Sequence, residues 1–382
     1  MRFTITLMLT LLALPARPQN TSGDPSQSVI KAPPPDRNPR MRIDQRVGQG
    51  SQPQKASHLG ESGRTMGLGM EIGRFSLHSS FWVNLDSFLF EEALAPSQRT
   101  KRPSSIQRAP ASPLSEMDQQ VWDAAVSYYR KNVLQRDHDD RRNELICMAL
   151  SDADDRAPLN AEIRDAERTR VLNSAAQVYR RAWWEAHNAG NLFWMKSIEP
   201  LVVVLGPHMY SDLSRAYAAP WKEGSIRVEV TVYSNWFGAF TTDDDAGHVF
   251  IASTDPNYQG HAALEMLFHE ASHTLVFPHE GSVGQALLRA AKKRGIEPPR
   301  DLWHVLIFYT TGEYAKKAYA AVSIRYDSPN DRGDLWNNGG SWTKLHDSAE
   351  LYWQPYLDGT ISLDQAADRM VKSLDDNKAS RF

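Results

Sequence analysis

The stretch from Leu264 to Leu275 contains the pattern H-E-x-x-H, in which two histidines enclose a glutamate at a fixed spacing. His269 and His273 are four residues apart, so on a helix both imidazoles project from one face, as two ligands of a single metal ion must. Glu270 follows the first histidine directly and would lie close to a water beside the ion. These residues at this spacing predict metal-assisted hydrolysis with Glu270 as the general base.

The apolar residues around the two histidines are spaced as on one side of an α-helix. They are Leu264, Leu267, Phe268, Ala271 and Leu275. The two histidines lie on the opposite side, so the helix can pack on a core and still present both imidazoles to a cleft. The alternative interpretation is a pair of structural histidines whose hydrogen bonds are satisfied within the protein.

A catalytic zinc ion usually has three protein ligands and a fourth position for water, so a third ligand is needed. His279 lies ten residues after His269, which is the interval of the metzincin pattern H-E-x-x-H-x-x-G-x-x-H. Val276 occupies the place of the glycine in that pattern, and a β-branched residue resists the positive φ of a sharp turn. Glu280, next to His279, is a weaker version of the same candidate.

Glu313 is the stronger candidate from the sequence. It lies on a helix predicted from Asp301 to Ile324, and it continues an apolar stripe on which a carboxylate would be costly unless it is paired or binds metal. The stripe consists of Leu302, Val305, Leu306 and Tyr309. The alternative is an ordinary helical ion pair, because Lys316 and Lys317 follow Glu313 by three and four residues.

His269-Glu270-x-x-His273, preceded by strand-like segments and followed in a separate helix by Glu313, resembles the gluzincin branch of the zincin metallopeptidases. The chain after residue 70 also resembles a group of exported bacterial metallopeptidase-like proteins, at Ser253–Pro256 before the histidines and at Asp301–Glu313. The resemblance implies that His269, His273 and Glu313 bind one zinc ion, that Glu270 is the general base, and that the substrate is a peptide or protein.

A peptidase of this kind needs a donor for the developing oxyanion and a surface for the substrate. Tyr309, one turn before Glu313, and His304 are the two candidates for the donor, and packing is the alternative role for each. The segment Asn235–Thr242 is a candidate sheet edge for an extended peptide, or else an ordinary hairpin. Two other functions stay open: an exported metal-binding protein without catalysis, and a metal-dependent hydrolase of cell-wall amides.

The elements that must position these residues fall into a helical first part and a mixed second part. Helical spacing is found at Phe75–Phe90, Glu116–Leu134, Arg141–Leu150, Asn160–His187 and Ala189–Val204, and later at Val283–Arg294, Trp342–Tyr356 and Ser362–Leu374. Strand patterns are found at Ile226–Tyr233, Asn235–Thr242 and His248–Ser253. We therefore predict an α+β protein, mostly helical, with a small mixed or antiparallel sheet before the histidine helix, a helical lobe at 70–220 and a catalytic lobe at 221–382.

Composition limits the possible partners and the compartment. The net charge is −3 and there is no long basic run, so a nucleic-acid partner is not expected. Residues 1–16, with Arg2 before the apolar run Ile5–Leu14, predict a signal peptide and export, and residues 17–69 are typical of a disordered linker. No later stretch predicts a membrane span, and Cys147, as the single cysteine, excludes an internal disulfide.

Overall fold

The computed structural model of the protein describes residues 68–99, 105–134, 141–160, 162–234, 238–242, 247–332, 334–337 and 340–379. The predicted signal peptide at 1–16 lies outside these residues, and so does the predicted linker at 17–69 apart from its end. The described elements of the first part are β1 (Leu68–Ile72), β2 (Phe75–Ser79), α1 (Phe81–Ala93), α2 (Pro96–Arg99), α3 (Glu116–Tyr128), α4 (Arg141–Ser151), α5 (Ala166–Ala182) and α6 (Trp184–Tyr217).

The second part contains the remaining strands, the histidine helix and the closing helices. They are β3 (Ile226–Thr231), β4 (Ala239–Thr241), β5 (Val249–Ala252), α7 (His261–Ser272), α8 (Gly281–Lys292), α9 (Leu302–Ala321), α10 (Pro329–Arg332), α11 (Asp334–Asn337), α12 (Ser341–Ser348), α13 (Gln354–Leu357) and α14 (Leu363–Ala379). Among the described helices, none combines the length and the apolar character that crossing a bilayer requires.

The described strands form one mixed sheet in the order β1-β2-β3-β5-β4. The outer pairs, β1 with β2 and β4 with β5, are antiparallel, whereas β2, β3 and β5 run parallel to one another. β4 is therefore the end strand of the described sheet, and β5 leads through a short turn at Pro256–Tyr258 into α7. This architecture confirms the predicted α+β fold, mostly helical with a small mixed sheet before the histidine helix.

Alternate residues of β5 face two different hydrophobic cores. Val249 and Ile251 belong to a larger core that includes residues of α6, α7, α8, α9, α12 and α14, whereas Phe250 belongs to a smaller core built from α1, α3, α4 and α5. Because both faces of the sheet are covered, β3 is buried rather than half-buried as its alternating sequence indicates. Its Glu229 is fully buried and accepts hydrogen bonds from Ser80 Oγ at 2.6 Å and Arg227 Nε at 2.8 Å.

The histidine helix packs through the apolar stripe predicted from its sequence. All five stripe residues, Leu264, Leu267, Phe268, Ala271 and Leu275, are at most 3% exposed. The Phe268 ring meets Phe75 of β2 edge-on at 5.3 Å between centroids and Tyr210 of α6 at 4.8 Å. The sheet and α6 therefore fix α7 from one side and leave its opposite side to face α9.

The structure corrects two predictions about the first part. The spacing at Phe75–Phe90 indicates one helix, but Phe75–Ser79 is strand β2, and the helix begins only after the extended residue Ser80. The lobe boundary predicted at residue 220 does not separate the cores, because buried residues of α6 such as Met195 and Leu205 belong to the larger core with the histidine helix. Pairing with distant segments determines that Phe75–Ser79 is a strand, and packing with distant segments determines the core to which α6 belongs.

A buried ion pair lies inside the smaller core. Arg168 of α5 donates through Nη2 to Asp86 Oδ2 of α1 at 2.7 Å and through Nε to Oδ1 at 2.9 Å, and its Nη1 donates to Asn143 at 3.0 Å. Tyr129 also donates to Asp86. Burial alone would lower the pKa of Arg168, but the Asp86 carboxylate raises it, so the guanidinium stays charged. The network joins α1, α4 and α5.

We expect Arg168→Met to lower the free energy of unfolding by about 3–5 kcal/mol, because Asp86 would remain as a buried charge without its cationic partner. Urea unfolding of the metal-free protein measures the effect. Arg181→Met is the matched control: Arg181 pairs with Asp118 at 2.7 Å, but its side chain is 59% exposed. Loss of an exposed pair should have a much smaller effect on the free energy of unfolding, and equal losses in the two variants would contradict the expectation.

Candidate metal centre

Three histidines from two helices converge at the face of α7 that points away from the sheet. Potential ligand atoms of His269, His273 and His304 all lie within 4.8 Å of one another. His269 is on α7, His273 follows it as the C-cap residue with helical φ of −61°, and His304 is in the first turn of α9. Nitrogens bound to one zinc ion at about 2.0–2.1 Å lie roughly 3.4 Å apart, so small side-chain movements suffice to bind an ion.

The register between α7 and α9 brings these side chains together. Glu265, His269 and His273 recur every four residues and therefore share one face of α7, while His304 and Phe308 share one face of α9. The Phe308 ring lies against His269, and a Cβ atom added at Gly312, one turn further on, would lie 3.4 Å from Glu265 Oε1. Gly312 thus leaves space for the Glu265 carboxylate where the two helices are in contact.

The ring nitrogens of the three histidines have no hydrogen-bond partner in the described part of the chain, and burial favours the uncharged imidazoles. No residue in the described part of the chain is hydrogen bonded to the ring nitrogens of His269, His273 or His304, and Nδ1 of His269 is buried without a partner. Burial, reinforced by the neighbouring histidines, lowers the pKa of His269 and His273 well below the ordinary value, and burial lowers the pKa of His304 to about 4. Neutral imidazoles with free lone pairs are the form in which histidine binds a metal.

Glu270 follows His269 on α7 and contacts the end strand of the described sheet. It is 5% exposed, and its Oε2 accepts a hydrogen bond of 2.8 Å from Thr241 Oγ1 of β4. The same hydroxyl lies 2.8 Å from the backbone carbonyl oxygen of Glu270. Strand β4, which falls within the segment Asn235–Thr242 selected from the sequence, therefore contacts the candidate base; residues 235–237 lie outside the described part.

The structure does not bring Glu313 to the two histidines. Its carboxylate accepts a hydrogen bond from Lys316 Nζ at 2.7 Å, and its side chain is 32% exposed. Glu313 follows His304 by nine residues, which is about two and a half helical turns, so the two side chains leave α9 on opposite sides. The helical ion pair named as the alternative from the sequence is the arrangement observed, and His304 rather than Glu313 lies beside the two histidines.

His279 and Glu280 are both exposed and do not join the group of histidines. Val276 is buried and has no positive φ, so the chain does not make the sharp turn that the metzincin pattern requires there. The first residue with a positive φ after the histidines is Gly281, with φ of 64°, where α8 begins. The departure from the metzincin pattern at Val276 therefore corresponds to a different path of the chain.

The structure places the two candidates for the oxyanion donor in different surroundings. Tyr309 donates a hydrogen bond to Gln354 Oε1 at 2.8 Å and its ring packs edge-on against His346, so it faces the closing helices. His304, considered from the sequence only as a donor, is one of the three histidines that converge. The signal that could have identified it is the spacing of His304, Phe308 and Gly312, which marks one helix face with room for a partner helix.

Glu265 connects the histidine helix to residues 326–330, which lead into α10. The carboxylate is 3% exposed and accepts hydrogen bonds from Tyr326 Oη at 2.6 Å, Ser328 Oγ at 2.8 Å and Asn330 Nδ2 at 2.9 Å. Burial raises its pKa, and the hydrogen bonds from Tyr326 and Ser328 partly oppose this. The three donors come from one short stretch of chain, so this stretch is attached to α7 one turn before His269.

A second group that could hold an ion, His346 with Asp347 and Glu350, lies on the surface of α12 and the turn after it. Asp347 and Glu350 are exposed, and such clusters occur commonly without a metal. The three converging histidines differ from it because His269 is buried and because none of the three has a hydrogen-bond partner in the described part of the chain. No protein-family model, curated protein or solved structure gives a significant match to the chain.

Proposed function

We propose that the protein is a zinc-dependent metallopeptidase whose ligands are His269, His273 and His304 and whose general base is Glu270. The observation that carries the proposal is the convergence of three imidazoles, the buried His269 and the half-buried His273 and His304, without hydrogen-bond partners in the described part of the chain. Leaving the buried Nδ1 of His269 unpaired is costly, so a purely structural histidine at this position would have acquired a donor or an acceptor. A metal ion bound to the lone pairs removes this cost.

The donor set fits zinc. Three histidines are an established ligand set for catalytic zinc, which keeps a further position open for water or substrate. Imidazole also suits other transition metals, but the group lacks the carboxylates that favour magnesium or calcium. The proposed site retains the H-E-x-x-H element of the zincins and has a histidine in place of the glutamate that defines the gluzincin branch.

When bound, zinc would act as a Lewis acid that makes an adjacent water easier to deprotonate and polarises a carbonyl group. Glu270 would accept the proton of the attacking water and return it to the leaving nitrogen. The Thr241 hydroxyl would hold the Glu270 carboxylate in one orientation. Export is part of the proposal and rests on the sequence of residues 1–16.

We expect Thr241→Val to lower kcat/KM for peptide hydrolysis about 10-fold to 100-fold while zinc content stays unchanged. The reason is the loss of a hydrogen bond to a charged group, which contributes about 1.5–3 kcal/mol. Steady-state kinetics on a peptide substrate measure the effect. Thr169→Val is the matched control, because its hydroxyl donates to Asp165 O at 2.9 Å in the smaller core. Equal activity of Thr241→Val and wild type would exclude this role for Thr241.

Zinc content and hydrolysis must be measured together. We expect the purified protein to contain about one zinc ion per chain, to cleave members of a mixed peptide library, to lose cleavage on chelation and to regain it with zinc. Peptidoglycan fragments in the same assay test the cell-wall alternative. Metal without any turnover would support a non-catalytic metal-binding protein, and absence of tightly bound metal would overturn the proposed function.

A further inference from the structure

The three proposed ligands lack the hydrogen bonds that usually orient zinc-binding histidines. The ring nitrogen that does not bind the metal normally donates to a carboxylate or a carbonyl, which fixes the orientation of the ring. In the described part of the chain none of the three histidines has such a partner. Something else must hold the rings in place if the site is to bind an ion.

Aromatic side chains surround the three imidazoles instead. The Phe308 ring lies over His269 with 3.8 Å between centroids and 32° between planes. Trp303 stacks on His304 at 5.1 Å and 18°, and meets His273 edge-on at 5.6 Å. Trp342 of α12 meets His304 edge-on at 5.5 Å. We call Trp303, Phe308 and Trp342 the aromatic cage; each imidazole contacts at least one of its rings.

We propose that the aromatic cage positions the zinc ligands, with Phe308 setting the ring orientation of His269, in place of the usual hydrogen-bonded partners. This inference rests on the proposed function, because it concerns the same metal. A histidine ring rotates about two side-chain torsions, and a ring packed against its face restricts the second of them. Stacking therefore keeps the lone pair of His269 directed at the site before the ion arrives.

The cage has its own structural support. Trp342 Nε1 donates to Asp301 Oδ2 at 3.3 Å, and the Trp342 ring packs against Phe308 at 5.9 Å between centroids. Trp336, which is 5% exposed, lies behind both, parallel to Trp342 at 6.2 Å and edge-on to Phe308 at 6.1 Å. Phe308 and Trp342 are thus held by neighbours that do not contact His269, so these two rings can act as a fixed surface.

The test compares Phe308→Leu with Phe308→Tyr, which keeps the ring, and with Phe88→Leu as the matched control. Phe88 is fully buried in the smaller core and its ring meets His187 edge-on at 4.7 Å, but His187 is not a proposed ligand. Zinc affinity is measured by competition with a chelator, and the geometry of the site by the visible spectrum of the cobalt-substituted protein.

We expect Phe308→Leu to weaken zinc binding about 10-fold to 100-fold, as loss of an orienting partner does, and to change the cobalt spectrum. Phe308→Tyr should bind zinc within about threefold of wild type, and Phe88→Leu should bind as wild type does. Unchanged zinc affinity in a folded Phe308→Leu protein would overturn the inference, and so would an equal loss in Phe88→Leu. Failure of the wild-type protein to bind zinc would instead overturn the proposed function.

A second measurement does not depend on the folding of a variant. In metal-free wild-type protein labelled at histidine, the Phe308 ring current should shift a ring-proton resonance of His269 upfield from the position of free histidine. The resonance should keep most of this shift when zinc is added, because the orientation already exists. A His269 resonance at the position of free histidine before zinc addition would contradict the inference.

Discussion

Replacing His304 by alanine should weaken zinc binding about 10²-fold to 10³-fold, whereas replacing Glu313 by alanine should leave it unchanged. Structural zinc sites with four ligands bind with about 10–16 kcal/mol, or roughly 2.5–4 kcal/mol per ligand. A loss of that size corresponds to the stated factor in the dissociation constant. His304 converges with His269 and His273, while Glu313 is paired with Lys316 on the opposite side of α9.

The two variants are a matched pair because both truncate a partly exposed side chain of the same helix. Lys316 keeps a second partner in Glu313→Ala, since its Nζ lies 2.6 Å from Asp331 Oδ2. Both proteins should therefore fold, which circular dichroism checks, and chelator competition gives the zinc affinity. If Glu313→Ala loses zinc and His304→Ala keeps it, the gluzincin ligand set is restored and the proposed set is wrong.

Glu270→Gln should lower the rate of peptide hydrolysis about 10²-fold to 10⁴-fold, the range that a positioned general base contributes, while zinc stays bound. The amide has nearly the shape of the carboxylate and can still contact Thr241 Oγ1, but it cannot accept a proton from water. The measurements are single-turnover cleavage of a peptide and zinc content of the same sample.

Glu313→Gln is the control for Glu270→Gln, because it makes the same chemical change at a glutamate outside the proposed site. It should leave hydrolysis within about twofold of wild type. Undiminished cleavage by Glu270→Gln would exclude Glu270 as the base. Absence of cleavage by the wild-type protein, with zinc bound, would favour the non-catalytic alternative whatever the variants do.

The part of the site that is local in sequence could be predicted from the residues alone. His269, Glu270 and His273 lie within five residues, so helix geometry by itself fixes their relative positions. The third histidine could not be found in this way, because it depends on which faces of α7 and α9 meet. The apolar stripe of α9 led toward Glu313, but Leu302, Val305 and Leu306 face the core, and His304 faces α7.

The fold shows the same division between local and distant information. Long periodic segments such as Glu116–Leu134 are helical as predicted, with the last turn as a π-helix at Tyr129–Val133. The strand at Phe75–Ser79 could not be distinguished from the start of a helix, because its apolar residues fit both periods over so short a length. Pairing with β1 and β3 makes this segment a strand. β3 is distant in the sequence, and the sequence of β1 is ambiguous.

The attachment of Glu265 to residues 326–330 has a consequence for how the protein responds to its proposed ion. One helix carries both this carboxylate and two of the three histidines, and the attached stretch leads into the closing helices. By mass action, an ion bound to the histidines would then stabilise the segment from residue 326 onwards as well as α7. Removal of the ion would therefore make that segment easier to unfold by heat and easier for a protease to cleave.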